Sequence, residues 1–270
     1  MYPKSKVLII AGSDSSGGAG IQADIKTVTS LGSYAMTAVT AVTAQNTMGV
    51  KQITPIPTKN VQKQITMILN DIGSDAVKIG MLHNVSIIKC VYRILKKYNL
   101  KNIVLDPVMV AKGGTKLINN NSITYLKKLL LPLAKLITPN IPEAEILTGC
   151  SISNKEDMIK AAKKILNMGS KNGLLKGGHL KSKMICDILA TKKGIKVFSK
   201  RKIKTKNTHG TGCTLSSALA TCLSQKKNIV KSCKISLRYV DKAIASAPGY
   251  GKGFGPLNHL VSFNLKNINV

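Results

Sequence analysis

At 270 residues, 44% of them hydrophobic, the chain is long enough for one large α/β domain and too apolar to be mostly disordered. Its formal net charge of +30 invites a nucleic-acid partner. The lysines are dispersed, however, and aromatics make up only 4% with no Trp, so the charge reads as a solvated basic surface with no specific nucleic acid. In chain order, Val7–Ala11 is a short apolar run ending in Gly12 and is predicted to be a buried strand. Ile21, Ile25, Val28 and Leu31 then recur at helical spacing, and Gly32 stops that helix. Further strands are predicted near Ala35–Thr43, Ala76–Ile79, Ile103–Leu105, Leu136–Thr138 and Gly173–Leu175, with helices between them, one around Ile159, Ala162 and Leu166. Met184–Thr191 and Ile195–Phe198, split by Lys192-Lys193-Gly194, read as a hairpin, and Thr211 to about Ala247 reads as helix with one break. This alternation predicts an α/β fold with a mainly parallel sheet covered by helices, in a single domain over residues 1–270.

The six cysteines form no CxxC pair and the four histidines are scattered, so free thiols are expected and a zinc site is not. The start of the chain lacks the pattern of a signal peptide, and no apolar run approaches bilayer length. The expectation is a cytoplasmic protein with no membrane partner.

Four motifs carry chemistry. The loop from Gly12 to Gly20, Gly-Ser-Asp-Ser-Ser-Gly-Gly-Ala-Gly, lets backbone approach a ligand at a helix start. It contains Gly18-Ala19-Gly20-Ile21-Gln22-Ala23, the shape of a dinucleotide fingerprint, yet the acidic residue expected about 20 positions later is missing. The second motif, Thr205 to Ser216, ends in Gly210-Thr211-Gly212-Cys213 and opens into a helix with Leu215, Leu219 and Leu223 in register. Its amides would form an anion hole, and Cys213 sits in the first turn, where the helix dipole favours a thiolate. The third and fourth are acids: Asp106 follows Ile103–Leu105, and Glu143 follows Asn140-Ile141-Pro142 after Leu136–Thr138. Carboxylates at the carboxyl ends of parallel strands suit Mg²⁺ held largely through water, although Glu143 beside Pro142 also fits a helix first-turn acid. Of only 11 acids, Asp14, Asp24, Asp106 and Glu143 are expected at such loops.

Taken together, the residues resemble the ribokinase-like superfamily and, within it, the bacterial hydroxymethylpyrimidine/phosphomethylpyrimidine kinases. The resemblance rests on residues 12–24, Thr43-Ala44-Gln45-Asn46-Thr47, Lys78-Ile79-Gly80-Met81-Leu82, Asp106-Pro107-Val108-Met109 and Asn140-Ile141-Pro142-Glu143-Ala144-Glu145. It continues through Lys176-Gly177-Gly178-His179, Asn207 to Thr214, and Gly255-Pro256-Leu257-Asn258-His259. The resemblance implies a homodimer and two successive ATP-dependent phosphorylations, of the pyrimidine's hydroxymethyl group and then of the monophosphate. By the same resemblance Gln45 bonds the pyrimidine, Asp24, Met81 and Gly12 help line its pocket, and Asp106 and Glu143 organise Mg²⁺-ATP. Gly210, Thr211, Gly212 and Cys213 form the catalytic anion hole, with Cys213 as the late acceptor of the alcohol proton. Lys176, Thr208 and Asn140 lie near the nucleotide. The rival reading on the same fold is a pyridoxine or pyridoxal kinase, whose substrate is likewise a flat ring with a hydroxymethyl arm.

Overall fold

The computed structural model describes residues 2–110, 114–180 and 182–262. The elements run β1 (Lys6–Asp14), α1 (Gly20–Ser30), β2 (Tyr34–Asn46), β3 (Gly49–Pro55), α2 (Thr58–Asp71), β4 (Ala76–Ile79), α3 (Val85–Lys97) and β5 (Ile103–Leu105). They continue with α4 (Asn120–Tyr125), β6 (Leu136–Ile137), α5 (Ile141–Thr148), α6 (Lys155–Asn167), β7 (Asn172–Leu175), β8 (Met184–Thr191), β9 (Gly194–Arg201), α7 (Thr211–Ser224) and α8 (Ile229–Ala245). One sheet of nine strands has the order β3-β2-β1-β4-β5-β6-β7-β8-β9. The six strands from β2 to β7 pair in parallel, and β3, β8 and β9 join antiparallel at the two edges.

β1 shows why a continuous apolar run becomes a central strand. Leu8 and Ile10 enter the core on one face of the sheet, with Ile65, Ile88 and Ala161 from the helices that cover it. Val7, Ile9 and Ala11 enter the core on the other, with Val28, Leu219 and Val240 of α1, α7 and α8. Side chains alternate sides along a strand, and a sheet covered on both faces therefore needs apolar residues at every position. After β1 the chain first lays β2 on one side of it and later β4 on the other. Strand order thus reverses at β1, and the crevice beyond the carboxyl ends of β1 and β4 is where such a sheet receives a ligand.

One expectation needs correction. The helical face of α1 is set by Ile21, Ala23, Asp24, Thr27 and Val28, all buried, whereas Ile25 is 38% exposed. Asp24 therefore belongs to the interior of a helix and not to a loop. Strand β3 and helix α2 lie in a stretch that carries no distinct periodic signal. Their signals are weak because β3 is a sheet edge with Lys51, Gln52 and Thr54 exposed, and α2 buries only Val61 and Ile65. The long C-terminal helix breaks at 225–228, where Asn228 caps α8 through the amide of Lys231.

Candidate active site

A cavity of about 720 Å³ opens over the carboxyl ends of the central strands. Of the site residues expected from sequence, Gly12, Gln45, Met81, Asp106, Asn140, Glu143, Lys176, Thr208 and Gly210 to Cys213 all line it.

At one end stand two loops in backbone contact. Asp14 closes β1 and organises the first: its Oδ1 accepts from the amide and hydroxyl of Ser16, and its Oδ2 from the amide of Ala19. The same Oδ2 lies 2.7 Å from Nε2 of His209 in the second loop. Burial alone would raise the Asp14 carboxyl, but the hydrogen bonds from His209 and Ser16 outweigh it and hold it below the usual carboxylate value. The contact leaves no room for side chains, since a Cβ at Gly210, which has φ +79, would lie 1.8 Å from the carbonyl oxygen of Gly18. His209 Nε2 also approaches Nε2 of Gln45 at 3.3 Å, and Thr43 donates to Oε1 of the same amide. The Gln45 side chain is therefore fixed before any ligand arrives. Met81 packs with Ala41 and Leu117, and a Cβ at Gly12 would strike its terminal methyl at 2.4 Å.

At the other end lie the acids. Asp106 caps β5, 2% exposed; its Oδ1 accepts from Lys176 at 3.2 Å and from Thr138, and its Oδ2 from Ser216 of α7. Glu143 forms a capping box with Asn140 at the start of α5, so the first-turn reading also describes it. Its Oε2 is 3.9 Å from Lys176. Burial pushes the Glu143 carboxyl up to about 7, because it outweighs the pull of Lys176 while Asp106 adds repulsion. Burial would lower the Lys176 ammonium, yet Asp106 and Glu143 together hold it above the ordinary lysine value. Two adjoining carboxylates with one raised value are an oxygen donor set that suits a hard divalent cation. Among the described residues no group of three or more His, Cys, Asp or Glu could hold a metal ion.

Between the two ends, α7 begins. Gly210 is its N-cap in the left-handed conformation, and a Cβ at Gly212 would lie 3.2 Å from Lys176 Nζ and 3.6 Å from Asp106 Oδ2. The first turn of α7 thus adjoins the acid–lysine group at Gly212, and a helix start of this kind is an arrangement that receives anionic oxygens.

Two sequence expectations change. Asp24, expected in the pocket wall, is fully buried beneath it, where Oδ2 accepts from Lys78 at 2.7 Å and Oδ1 from Ser217 at 2.7 Å. Lys78 lines the cavity in its place. Cys213 does not rest as a thiolate. Burial pushes its thiol up to about 12, ahead of the opposing pull of Lys78 and the amide of Gly20. The helix dipole was the wrong dominant effect, because the sulphur is enclosed. Sequence reasoning placed Asp14 among the loop acids without a role and missed His209 and Lys78 as parts of the site, although all three lie inside the quoted motifs.

The family model described as phosphomethylpyrimidine kinase matches residues 14–258. The hydroxymethylpyrimidine/phosphomethylpyrimidine kinase of Bacillus subtilis is 43% identical, over 98% of this chain and 97% of its own. The thiamine biosynthesis bifunctional protein of Geobacter sulfurreducens is 48% identical over 97% of this chain, which spans only 53% of that longer protein. Among solved structures, the phosphomethylpyrimidine kinase of Clostridium difficile is 45% identical with a TM-score of 0.80, covering 89% of this chain and 99% of its own. The ADP complex of Bacillus subtilis pyridoxal kinase is 37% identical with a TM-score of 0.88, covering 95% and 98%.

Proposed function

The chain belongs to the phosphomethylpyrimidine kinase family, and on that premise we propose that it uses ATP to phosphorylate hydroxymethylpyrimidine, then the monophosphate to the diphosphate, in thiamine diphosphate biosynthesis. One observation supports this most directly: a pre-fixed amide, Gln45, and an anion-receiving helix start, Gly210 to Cys213, face the same cavity. A ring held at Gln45 can place its hydroxymethyl arm toward the first turn of α7, where a nucleotide's terminal phosphate would lie against Lys176.

In this reading the alcohol oxygen attacks the γ-phosphorus in line. The bond from that phosphorus to the bridging oxygen breaks, ADP leaves with the electron pair, and the Cys213 sulphur, having first released its own proton to solvent, takes up the alcohol proton. The first-turn amides take the charge spread over the transferred oxygens. Lys176 orients the phosphates, while Asn140 and Thr208 border the nucleotide end. Asp106 and Glu143 would hold Mg²⁺, which supplies charge neutralisation on the phosphates. The family kinship makes ATP the donor, and among the described residues no helix is long and apolar enough to cross a membrane.

We also assign a homodimer and a cytoplasmic location to this kinase, acting as one domain over residues 1–270. Edge strand β3 and the exposed Val42 and Met48 beside it give the dimer a surface, and a monomeric mass by light scattering would overturn it. A second reading, pyridoxal phosphorylation, is favoured by the structural likeness to pyridoxal kinases, including that of Staphylococcus aureus in complex with pyridoxal, 34% identical with a TM-score of 0.89. The deciding measurement is ADP release with hydroxymethylpyrimidine and pyridoxine offered separately. Preference for the pyrimidine followed by diphosphate formation is the expected result; preference for pyridoxine replaces the substrate, and activity with neither removes the reading.

A further inference from the structure

Lys78 is the fully buried lysine among the largest sealed side chains, and its ion pair with Asp24 is 0% exposed on both sides. Sealing two charges away from water is costly, and a well-packed apolar pair of the same volume is often as stable or more so. The pair therefore calls for an explanation beyond holding the fold together. It sits where such an explanation is available. Lys78 lies on β4, one residue before its carboxyl end, and lines the cavity. Asp24 comes from α1 and Ser217 from α7, so three elements converge on one carboxylate. Ser217 is one helical turn beyond Cys213, which places the cysteine on the same face of α7 and on the cavity side of the pair. Gly80 preserves the space, since a Cβ there would lie 2.8 Å from Lys78 Nζ.

The charges are arranged in one direction. Burial would discharge Lys78, yet the 2.7 Å pairing with Asp24 holds its ammonium above the ordinary lysine value; burial still keeps the Asp24 carboxyl above the usual carboxylate value, although Lys78 and Ser217 satisfy both of its oxygens. The charged groups whose fields reach the Cys213 sulphur are Lys78, Asp24, Asp106 and Lys176. Lys78 exerts the largest pull toward the thiolate, with the Gly20 amide adding to it; Asp24 and Asp106 oppose.

We propose that Lys78 is a positioning residue of the kinase, a fixed cation held by Asp24, itself bonded by Ser217, that stabilises the thiolate form of Cys213, the form able to accept the alcohol proton during transfer. Lys78 touches neither the nucleotide nor the reacting atoms in this scheme; it acts through the sulphur. The role explains why the pair is dry: a charge buried in low dielectric reaches its neighbour with little screening. It also gives Asp24 a function that does not require contact with the pyrimidine. The inference rests on the kinase reading, and its test is chosen to fail separately.

The test is the rate at which iodoacetamide labels Cys213, followed by peptide mass spectrometry at a fixed pH near 8, in the wild type, in Lys78→Met and in Lys78→Met/Asp24→Asn. The double variant removes both charges together, so it carries no uncompensated buried charge should the single variant, with Asp24 unpaired, fail to fold. Labelling needs no substrate and is independent of which ring the enzyme prefers. The expected result is labelling slower by about 30- to 100-fold in Lys78→Met, from the loss of one unscreened neighbouring charge, and slower by a smaller factor in the double variant, where removing Asp24 also removes an opposing charge. In the same variants kcat should fall by a comparable factor while the KM for ATP stays within about threefold. Labelling of the wild type no faster than that of the folded variant, or a wild-type kcat in that variant, overturns the proposal.

Discussion

Two acid–lysine groups flank the start of α7, and they are built from the same residue types to opposite ends. Asp24 and Lys78 meet at 2.7 Å with no exposure. Asp106, Glu143 and Lys176 meet at 3.2 Å and 3.9 Å on the cavity wall, with the lysine side chain 15% exposed. The first group is closed: both carboxylate oxygens have partners, and nothing arriving from the cavity can improve on them. The second is loose, with one carboxylate raised toward neutrality and a cation between the two acids. A loose charged group can rearrange around phosphates and a metal, whereas a tight one cannot. The difference assigns the open group to the ligand and the sealed group to the protein's own field.

The comparison breaks most visibly by removing one partner from each group. Asp24→Ala leaves a buried uncompensated ammonium and should cost about 3–5 kcal/mol in urea unfolding. Lys176→Met should cost less than about 1 kcal/mol, because Glu143 can neutralise itself by binding a proton. Equal losses in the two variants would end the distinction between sealed and open.

Cys213→Ala, at the junction of the groups, should lower kcat by on the order of 10²- to 10³-fold while ATP affinity, measured by calorimetry, stays within about threefold. Turnover near the wild type would remove Cys213 from the proton's path.

The open group should also carry a pH signature. The Glu143 carboxyl, with a folded value of about 7 against 4.5 for the free side chain, keeps a proton that the unfolded chain has already lost. Stability should therefore fall as pH rises from about 4.5 to 7, by up to about 3 kcal/mol, and then level off. Glu143→Gln should flatten that decline; an unchanged slope would place its origin elsewhere.

The smallest effect belongs to the far end of the cavity. Gln45→Ala should raise the KM for the pyrimidine about tenfold with kcat little changed, because a ground-state hydrogen bond is lost. An unchanged KM would detach Gln45 from the ring.

The central strands were readable from sequence. Ala76–Ile79 and Ile103–Leu105 are strands with those bounds, since a sheet buried on both faces leaves uninterrupted apolar runs. Asp106 and Glu143 were placed at strand ends by the same logic, and the glycines before α7 by their need for a backbone turn, which Gly210 makes at φ +79. The family resemblance was legible because those motifs keep their order along the chain. Edge elements were not: β3 and α2 bury too few residues to leave a period.

What the sequence by itself determined was which chemical groups are present and which strand ends carry them. Only the tertiary structure decided their states. Asp24 and Asp106 look alike in sequence, yet one is clamped by Lys78 beneath the cavity and the other opens onto it. Cys213 heads a helix, yet its thiol stays protonated because enclosure outweighs the dipole. His209 meets Asp14 across 195 positions of chain. Charge state and partner depend on distance and dielectric, and both are set by residues far apart in sequence that packing brings together.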